Sequence, residues 1–135
     1  MVHHPNRYAE MLKARLLRHG SACWLVNTGW TAGPFGVGKR ISIRYTRALL
    51  NAALAGKLNG VPFREDPVFG FEVPVECEGV PAQILDPAAA WPNREAYAHK
   101  YATLAARFVQ NFQLIGDECP EEVRRGGPKV VMAKV

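Results

Sequence analysis

Apolar residues recur with a helical period in three stretches of the chain, each with polar residues on the opposite side. A glycine stands directly after each stretch, where helices commonly end. Asn93 precedes the last stretch and suits the capping position, and Glu95 suits the first turn after it. The pattern predicts helices at about residues 6–19, 46–55 and 94–115.

The segments between these helices carry the marks of strands and turns. Residues 22–27 form a continuous apolar run with the length of a buried strand. Residues 41–45 alternate β-branched and polar side chains, which predicts an extended segment or a helix entry. Residues 57–91 contain five prolines, which forbid long helices, and residues 68–73 fit a short strand. Residues 117–135 are mixed in character, so we expect them to be peripheral.

Length and composition narrow the class of protein. A chain of 135 residues has room for one small domain, and 48% hydrophobic with 21% charged residues is ordinary globular composition. It has no apolar run near 18 residues and no N-terminal signal pattern, so we expect neither a membrane span nor export. Three cysteines, widely spaced, do not suggest a disulfide framework. We therefore expect a cytoplasmic protein.

The net charge of +5 is unevenly distributed along the chain. Residues 1–57 carry a net charge of +8, residues 58–91 carry −5, and residues 92–135 carry +2. A basic N-terminal half predicts an anionic partner, such as a nucleic acid, a nucleotide, a phosphate or a carboxylate. The alternative, equally open at this point, is that a neighbouring acidic surface neutralises these cations.

A glycine-rich loop at residues 28–40 nearly matches a phosphate-binding motif. The stretch from Gly33 to Arg40 fits the pattern G-x-x-x-x-G-K-[ST] except at its last position. Arg40 cannot replace the hydroxyl that ligates Mg²⁺ in that motif. The context otherwise suits the motif, because a predicted strand precedes the loop and a predicted helix follows it. Three interpretations stay open: a degenerate phosphate-binding loop, another anion-facing loop, or a purely structural loop. In the second, the charge would come from Lys39, Arg40, Arg44 and Arg47.

Other candidate chemistry is sparse. The four histidines do not cluster with the cysteines at metal-ligand spacing, and no nucleophile motif occurs. The carboxylates between residues 65 and 86 are best interpreted as a solvated acidic face. Trp24, inside an apolar run, is expected in the core, whereas Trp30, in the loop, is a candidate for stacking on a base.

Several stretches of the sequence form one collinear set, namely residues 23–54, 66–75, 79–81, 84–87, Trp91 and 95–112. Taken together, they resemble the ATP-dependent phosphoenolpyruvate carboxykinase family. The resemblance is collinear from about residue 8 to residue 115 and covers only the C-terminal portion of that family's much longer chains. It implies a mixed α+β (α/β) fold with two or three helices and short strands. Residues 1–115 would be the C-terminal part of the nucleotide-binding lobe, and residues 116–135 a peripheral tail.

The resemblance also implies a reaction, in which oxaloacetate and ATP give phosphoenolpyruvate, CO₂ and ADP at the entry to gluconeogenesis. It implies Mg²⁺ with the nucleotide and Mn²⁺ at the substrate. The family's phosphate-binding loop, metal ligands and substrate-binding arginine lie upstream of the matching part. We therefore expect ATP as the partner of this segment, and oxaloacetate or phosphoenolpyruvate only together with an upstream portion. We expect no catalysis by the isolated segment, no membrane and no nucleic acid.

By similarity, Arg40, Ile41 and Thr46 are the ATP-binding residues. A guanidinium stacks on adenine or pairs with oxygens, an isoleucine offers an apolar wall, and a threonine hydroxyl can donate to ribose. Each has a simpler alternative: a surface cation, a core residue and a helix cap, respectively. The sequence departs from the family pattern at Ala32, at Phe35 and at the three alanines of residues 88–90, which puts any polar role of that last turn in doubt.

Two functions of other classes compete with this interpretation. One is a stand-alone basic module that binds nucleic acid or an acidic protein. The other is a non-functional remnant that folds poorly, because its apolar faces expect a missing lobe.

Overall fold

Three long helices and two small hairpins make up most of the chain. The computed structural model describes residues 3–117 and 119–129. The long helices are α1 (Pro5–His19), α2 (Ile43–Leu54) and α5 (Arg94–Gln113), and one-turn helices are α3 (Ala82–Leu85), α4 (Pro87–Ala90) and α6 (Glu121–Arg125). The strands are β1 (Trp30–Thr31), β2 (Lys39–Arg40), β3 (Phe63–Glu65) and β4 (Glu72–Pro74). The mixed α/β prediction is therefore confirmed.

Local capping explains where the long helices begin and end. The Asn93 side chain accepts a hydrogen bond from the Ala96 amide at 2.9 Å, as its position predicts. Gly20 ends α1 in the left-handed conformation, with φ of 60°. Ser42 caps α2, since its hydroxyl accepts from the Arg44 amide at 3.3 Å. Helix α2 consequently begins three residues before the predicted position, and the helix-entry interpretation of residues 41–45 is right.

The strands form two separate antiparallel pairs. Strands β1 and β2 pair Trp30 with Arg40 and Thr31 with Lys39. Strands β3 and β4 pair over three positions, from Phe63 opposite Pro74 to Glu65 opposite Glu72. Each pair is a two-stranded sheet of its own in the described part of the chain.

Two strand predictions are wrong in detail. Residues 22–27 are extended but belong to no sheet, because no strand of the described chain lies beside them. Of the strand predicted at residues 68–73, only residues 72 and 73 lie in a strand, and a turn precedes them. Its cause is the Asp66 carboxylate, which accepts from the amides of Val68 at 3.1 Å and Phe69 at 2.7 Å. Residues 57–91 contain no long helix, as their prolines predict.

A small apolar core lies between α2 and the proline-rich traverse. Its buried residues are Ala52, Leu58, Cys77 and Leu85. Trp24 packs against this cluster, as predicted, and its ring lies 6.1 Å from that of Phe63. Helix α1 has no buried residue and is held instead by contacts with the chain's other end. Its Lys13 forms an ion pair with Glu122, and the Asn6 side chain accepts from the Cys119 thiol at 2.7 Å.

The chain exposes far more surface than a compact domain of its mass. Its accessible area is 10,723 Å², whereas a compact monomer of 14.9 kDa exposes about 7,000 Å². The nine residues outside the described ranges contribute at most about 1,400 Å² even as a fully extended chain. Exposed large apolar side chains occur on all three long helices and both hairpin regions. Within the described residues, no helix is both long and apolar enough to cross a bilayer.

Candidate nucleotide site at the first hairpin

The glycine-rich loop closes the β1–β2 hairpin. The Pro34 carbonyl accepts from the Val37 amide at 3.0 Å and the Gly38 amide at 2.8 Å, which forms the turn. Gly38 passes close to the opposite strand: a Cβ placed there would lie 2.7 Å from the Thr31 carbonyl oxygen and closer still to that of Gly33. The glycine at position 38 is therefore required by close backbone approach.

This geometry differs from that of a phosphate-binding loop. Lys39 lies in strand β2, and α2 begins only at Ile43, after a two-residue connection. A phosphate-binding loop needs a helix that starts directly behind it, because the helix N-terminus directs amide donors at the phosphate. The expected strand–loop–helix context is wrong, since the loop is bounded by the two strands of one hairpin.

Arg40 is presented on the surface beside an aromatic ring. It lies directly opposite Trp30 in the hairpin, and directly opposed side chains of an antiparallel pair share one face. Trp30 is 39% exposed and contacts Phe35 edge-on, with ring centroids 5.4 Å apart. Arg40 is exposed and forms no ion pair with any described residue. Its guanidinium is thus available to a ligand on the face that it shares with Trp30.

Ile41 is the buried member of the predicted set. Its side chain is 7% exposed, and its amide donates to the Gly29 carbonyl at 2.9 Å. The side chain lines an open apolar hollow of about 200 Å³ with Trp24, Val26 and Leu49. The core alternative for the Ile41 side chain is therefore correct, and its backbone is what fixes the end of the hairpin to the start of α2.

Thr46 lies in the second turn of α2 and is half-buried. Its hydroxyl donates to the Ser42 carbonyl at 3.4 Å. The capping alternative is wrong for Thr46, because Ser42 performs that role. The Thr46 oxygen keeps its lone pairs for a further donor.

The cations around the hairpin lack acidic partners. Lys39, Arg40, Arg44 and Arg47 are exposed, and none forms an ion pair within the described residues. Three acidic residues of the proline-rich traverse form ion pairs elsewhere instead. Those pairs are Arg64–Asp86 at 2.9 Å, Lys57–Glu78 at 3.2 Å and Lys129–Glu65 at 3.5 Å. Among the described residues, no carboxylate forms an ion pair with these four cations.

The clearest pKa shifts belong to groups that hold the scaffold together. Burial raises the pKa of Tyr101, and its hydrogen bond to the Asp66 carboxylate raises it further. Burial also acts to raise the pKa of Asp86, but bonds from the Ala89 amide and from Arg64 outweigh it and lower that pKa. These groups fix the turn at Asp66 against α5 and the start of α4.

The described residues do not fit a metal site. Across residues 3–117 and 119–129, no three His, Cys, Asp or Glu side chains lie close enough together to hold an ion. No step of a reaction is therefore assigned to a metal held by this segment.

The pairing of Trp30 with Arg40 was not predicted. The signal was present, because Pro34 and Gly36 are turn residues midway between the two strands. The resemblance of the loop to a phosphate-binding motif obscured that hairpin.

Comparison with known proteins defines the class of this chain. A family model described as phosphoenolpyruvate carboxykinase matches residues 1–83, which is more than half of the chain. The fold agrees with that class, since it is a mixed set of helices and short antiparallel strands.

Curated relatives identify the family more closely. Phosphoenolpyruvate carboxykinase (ATP) of Thermus thermophilus is 49% identical over 126 residues, which are 93% of this chain and 24% of that protein. The corresponding protein of Brucella suis is 47% identical over 133 residues, 98% of this chain and 25% of its own length. The chain belongs to the ATP-dependent phosphoenolpyruvate carboxykinase family and spans about a quarter of the length of these relatives.

Proposed function

We propose that this chain supplies the nucleoside side of the ATP site in a phosphoenolpyruvate carboxykinase. The whole enzyme would convert oxaloacetate and ATP to phosphoenolpyruvate, CO₂ and ADP in gluconeogenesis. The observation that carries the proposal is the exposed Arg40 guanidinium, which pairs with no described carboxylate and lies on the same hairpin face as Trp30. A guanidinium without a carboxylate partner attracts phosphate or ribose oxygens and stacks on a base.

The three site residues take different parts in this proposal. Arg40 binds the nucleotide directly through its guanidinium. Thr46 offers its hydroxyl from α2, about one helical turn beyond the Ser42 cap. Ile41 contributes through its backbone, because its side chain is buried. These residues bind and orient the nucleoside, and the metal and phosphate-cradling groups that stabilise phosphoryl transfer belong to the upstream portion.

The remaining parts of the proposal follow from the same assignment. Residues 1–115 form the C-terminal part of the nucleotide-binding lobe, and residues 116–135 form its peripheral tail. Of that tail, residue 118 and residues 130–135 lie outside the described residues. Mg²⁺, Mn²⁺ and the oxaloacetate or phosphoenolpyruvate are held by the upstream portion. We propose a cytoplasmic location, with no nucleic acid or membrane partner.

A chimera tests the nucleotide role. The matching quarter of the Thermus thermophilus relative is replaced by this chain, and the KM for ATP is measured. Arg40→Ala should raise that KM about 10- to 100-fold, because a hydrogen bond to a charged group contributes about 1.5–3 kcal/mol. Thr46→Val should raise it about 2- to 10-fold, the range for a neutral hydrogen bond.

Arg15→Ala is the matched control, since Arg15 is an exposed cation on α1 without an ion-pair partner among the described residues. Its KM for ATP should equal that of the unaltered chimera. An Arg40→Ala chimera that is indistinguishable from this control would refute the nucleotide role.

The isolated chain tests the predicted lack of catalysis. A carboxykinase assay with ATP, Mg²⁺ and Mn²⁺ on the purified 135-residue chain should give no turnover above the blank. Turnover well above the blank would contradict the assignment of the catalytic groups to an upstream portion.

A stand-alone basic binding module is the second candidate function. Four exposed cations without a described ion-pair partner favour it, because surface cations also bind the backbone of nucleic acids. They are Lys39, Arg40, Arg44 and Arg47. A gel-shift series against salt separates the two. A steep salt-dependent affinity for DNA or RNA that ATP does not alter would favour this second function over the nucleotide site.

A further inference from the structure

Residues 22–27 form an extended segment whose backbone has no hydrogen-bond partner among the described residues. None of their amides or carbonyls forms a backbone hydrogen bond with the described residues. The nearest polar contacts are made by a side chain: Asn27 accepts from the Gly29 amide at 2.8 Å and donates to the Trp30 carbonyl at 3.4 Å. The segment therefore has the conformation of a strand without the ladder that normally satisfies one.

Burial alternates along this segment as it does along a strand of a sheet. Trp24 and Val26 are half-buried, and Trp24 packs on the apolar core. Cys23 and Leu25 are exposed, and the exposed fraction of Leu25 is 75%. Side chains of a strand alternate with period two, so one face rests on the core and the other is open.

The composition of the segment is that of a paired strand. It contains no charged residue, no proline and no glycine. Solvent-facing edges in natural proteins are normally protected by charges, prolines or bulges, because an unprotected edge pairs with other chains. An apolar edge without such protection is typical of a strand that is covered in the working protein.

The amount of uncovered surface indicates the size of the partner. The chain exposes 10,723 Å², and the excess over a compact protein of its mass is at least roughly 2,300 Å² after the residues outside the described ranges are allowed for. A standard interface covers only about 800 Å² on each partner, so docking of a second copy at one patch would leave most of the excess open. The chain spans 24% of the Thermus thermophilus relative, so that relative's remaining three quarters offer a partner of sufficient size.

We propose that residues 22–27 are a docking edge at which a β-strand from the rest of a carboxykinase chain pairs and covers the Leu25 face. This inference rests on the proposed function, because it takes the upstream portion of the enzyme as the partner. Pairing would satisfy the free amides and carbonyls and bury Leu25 against an apolar neighbour. It would also close the hollow in which Trp24, Val26 and Ile41 meet.

Hydrogen exchange in the chimera described above tests the docking edge without any nucleotide. Amides of residues 22–27 should exchange at least about 100-fold more slowly than in an unstructured peptide of the same sequence. Leu25→Asp should accelerate their exchange at least about tenfold. Leu17→Asp is the matched control, because Leu17 is 74% exposed on α1, and it should leave these amides protected.

Unprotected amides at residues 22–27 in a chimera whose α2 amides are protected would overturn the proposal. So would equal effects of Leu25→Asp and Leu17→Asp. In the isolated chain, protection of these amides that grows with protein concentration would point to a second copy and would also overturn it. The two proposals fail in different measurements. If only the nucleotide role is wrong, Arg40→Ala leaves the KM for ATP unchanged while the amides of residues 22–27 stay protected.

Discussion

Replacement of Gly38 by alanine tests whether the tight hairpin positions Arg40. Gly38 immediately precedes strand β2, two residues before Arg40. An alanine Cβ at this position would lie 2.7 Å from the Thr31 carbonyl oxygen, whereas ordinary contacts begin at 3.4 Å. The obstructing atoms are backbone atoms of the opposite side of the hairpin, which cannot rotate away as a side chain can. The two strands must therefore separate.

The size of the effect follows from this overlap. Strand β2 must move by about 0.7 Å relative to Thr31, and overpacking of this kind costs about 1–3 kcal/mol. A displacement near 1 Å at a binding site can lower activity about 100-fold. In the chimera, we expect Gly38→Ala to raise the KM for ATP at least about tenfold, together with a lower melting temperature.

Gly36→Ala is the matched control, because Gly36 lies at the turn of the same hairpin with open space around it. No atom lies within 4 Å of a Cβ placed there, although its φ of +85° disfavours alanine. The backbone cost is about 1–2 kcal/mol, with no force that separates the strands. The KM for ATP should stay within about twofold of the parent, by the same kinetic assay. Equal KM values for the two variants would refute the dependence of the site on hairpin closure.

Three further predictions concern the scaffold. Tyr101→Phe should cost about 1–2 kcal/mol in urea denaturation, because it removes the hydrogen bond to Asp66. Since the pKa of Tyr101 is raised, the neutral phenol contributes its full stabilisation of the fold below pH 10, and that stabilisation is lost above pH 10. Tyr101→Phe should therefore lessen the fall in melting temperature at high pH. Because the pKa of Asp86 is lowered, its ionised carboxylate stabilises the fold above about pH 4, and this stabilisation is lost as the pH falls further. Asp86→Asn should therefore lessen the fall in melting temperature at acid pH. Cys23 is exposed and should react with a thiol reagent well before Cys77, because burial raises the pKa of the Cys77 thiol. The two rates can be measured by titration with Ellman's reagent.

The helices were predictable because their determinants are local. Asn93 and Gly20 lie within one turn of the helix ends that they define, and the apolar period needs no knowledge of the rest of the fold. The error at α2 has the same origin: Ser42 is as good a cap as Thr46, and local pattern alone does not choose between them.

The strands were less predictable because pairing is not local. Residues 22–27 have the composition of a strand, but a strand exists only beside a partner, and no partner lies in the described chain. At residues 68–73 the Asp66 side chain competes with the ladder for the amides of Val68 and Phe69, and the turn results. The site residues themselves came from resemblance, and only the structure shows that the Ile41 side chain is buried while Arg40 is exposed.

The proposed docking edge and the proposed nucleotide site meet at Ile41, so we expect each of them to depend on the other. Ile41 lines the hollow beside Trp24 and Val26, and Arg40 is its neighbour in β2. Residues 24–27 form one wall of that hollow, which is open to solvent. A strand paired at this edge would cover the hollow and hold the hairpin in place. The site would then lose less conformational entropy when ATP binds. The isolated chain should therefore bind ATP more weakly than the chimera even though it contains Arg40 and Thr46. Equal ATP dissociation constants for the two, measured by calorimetry, would show that the hairpin needs no such support.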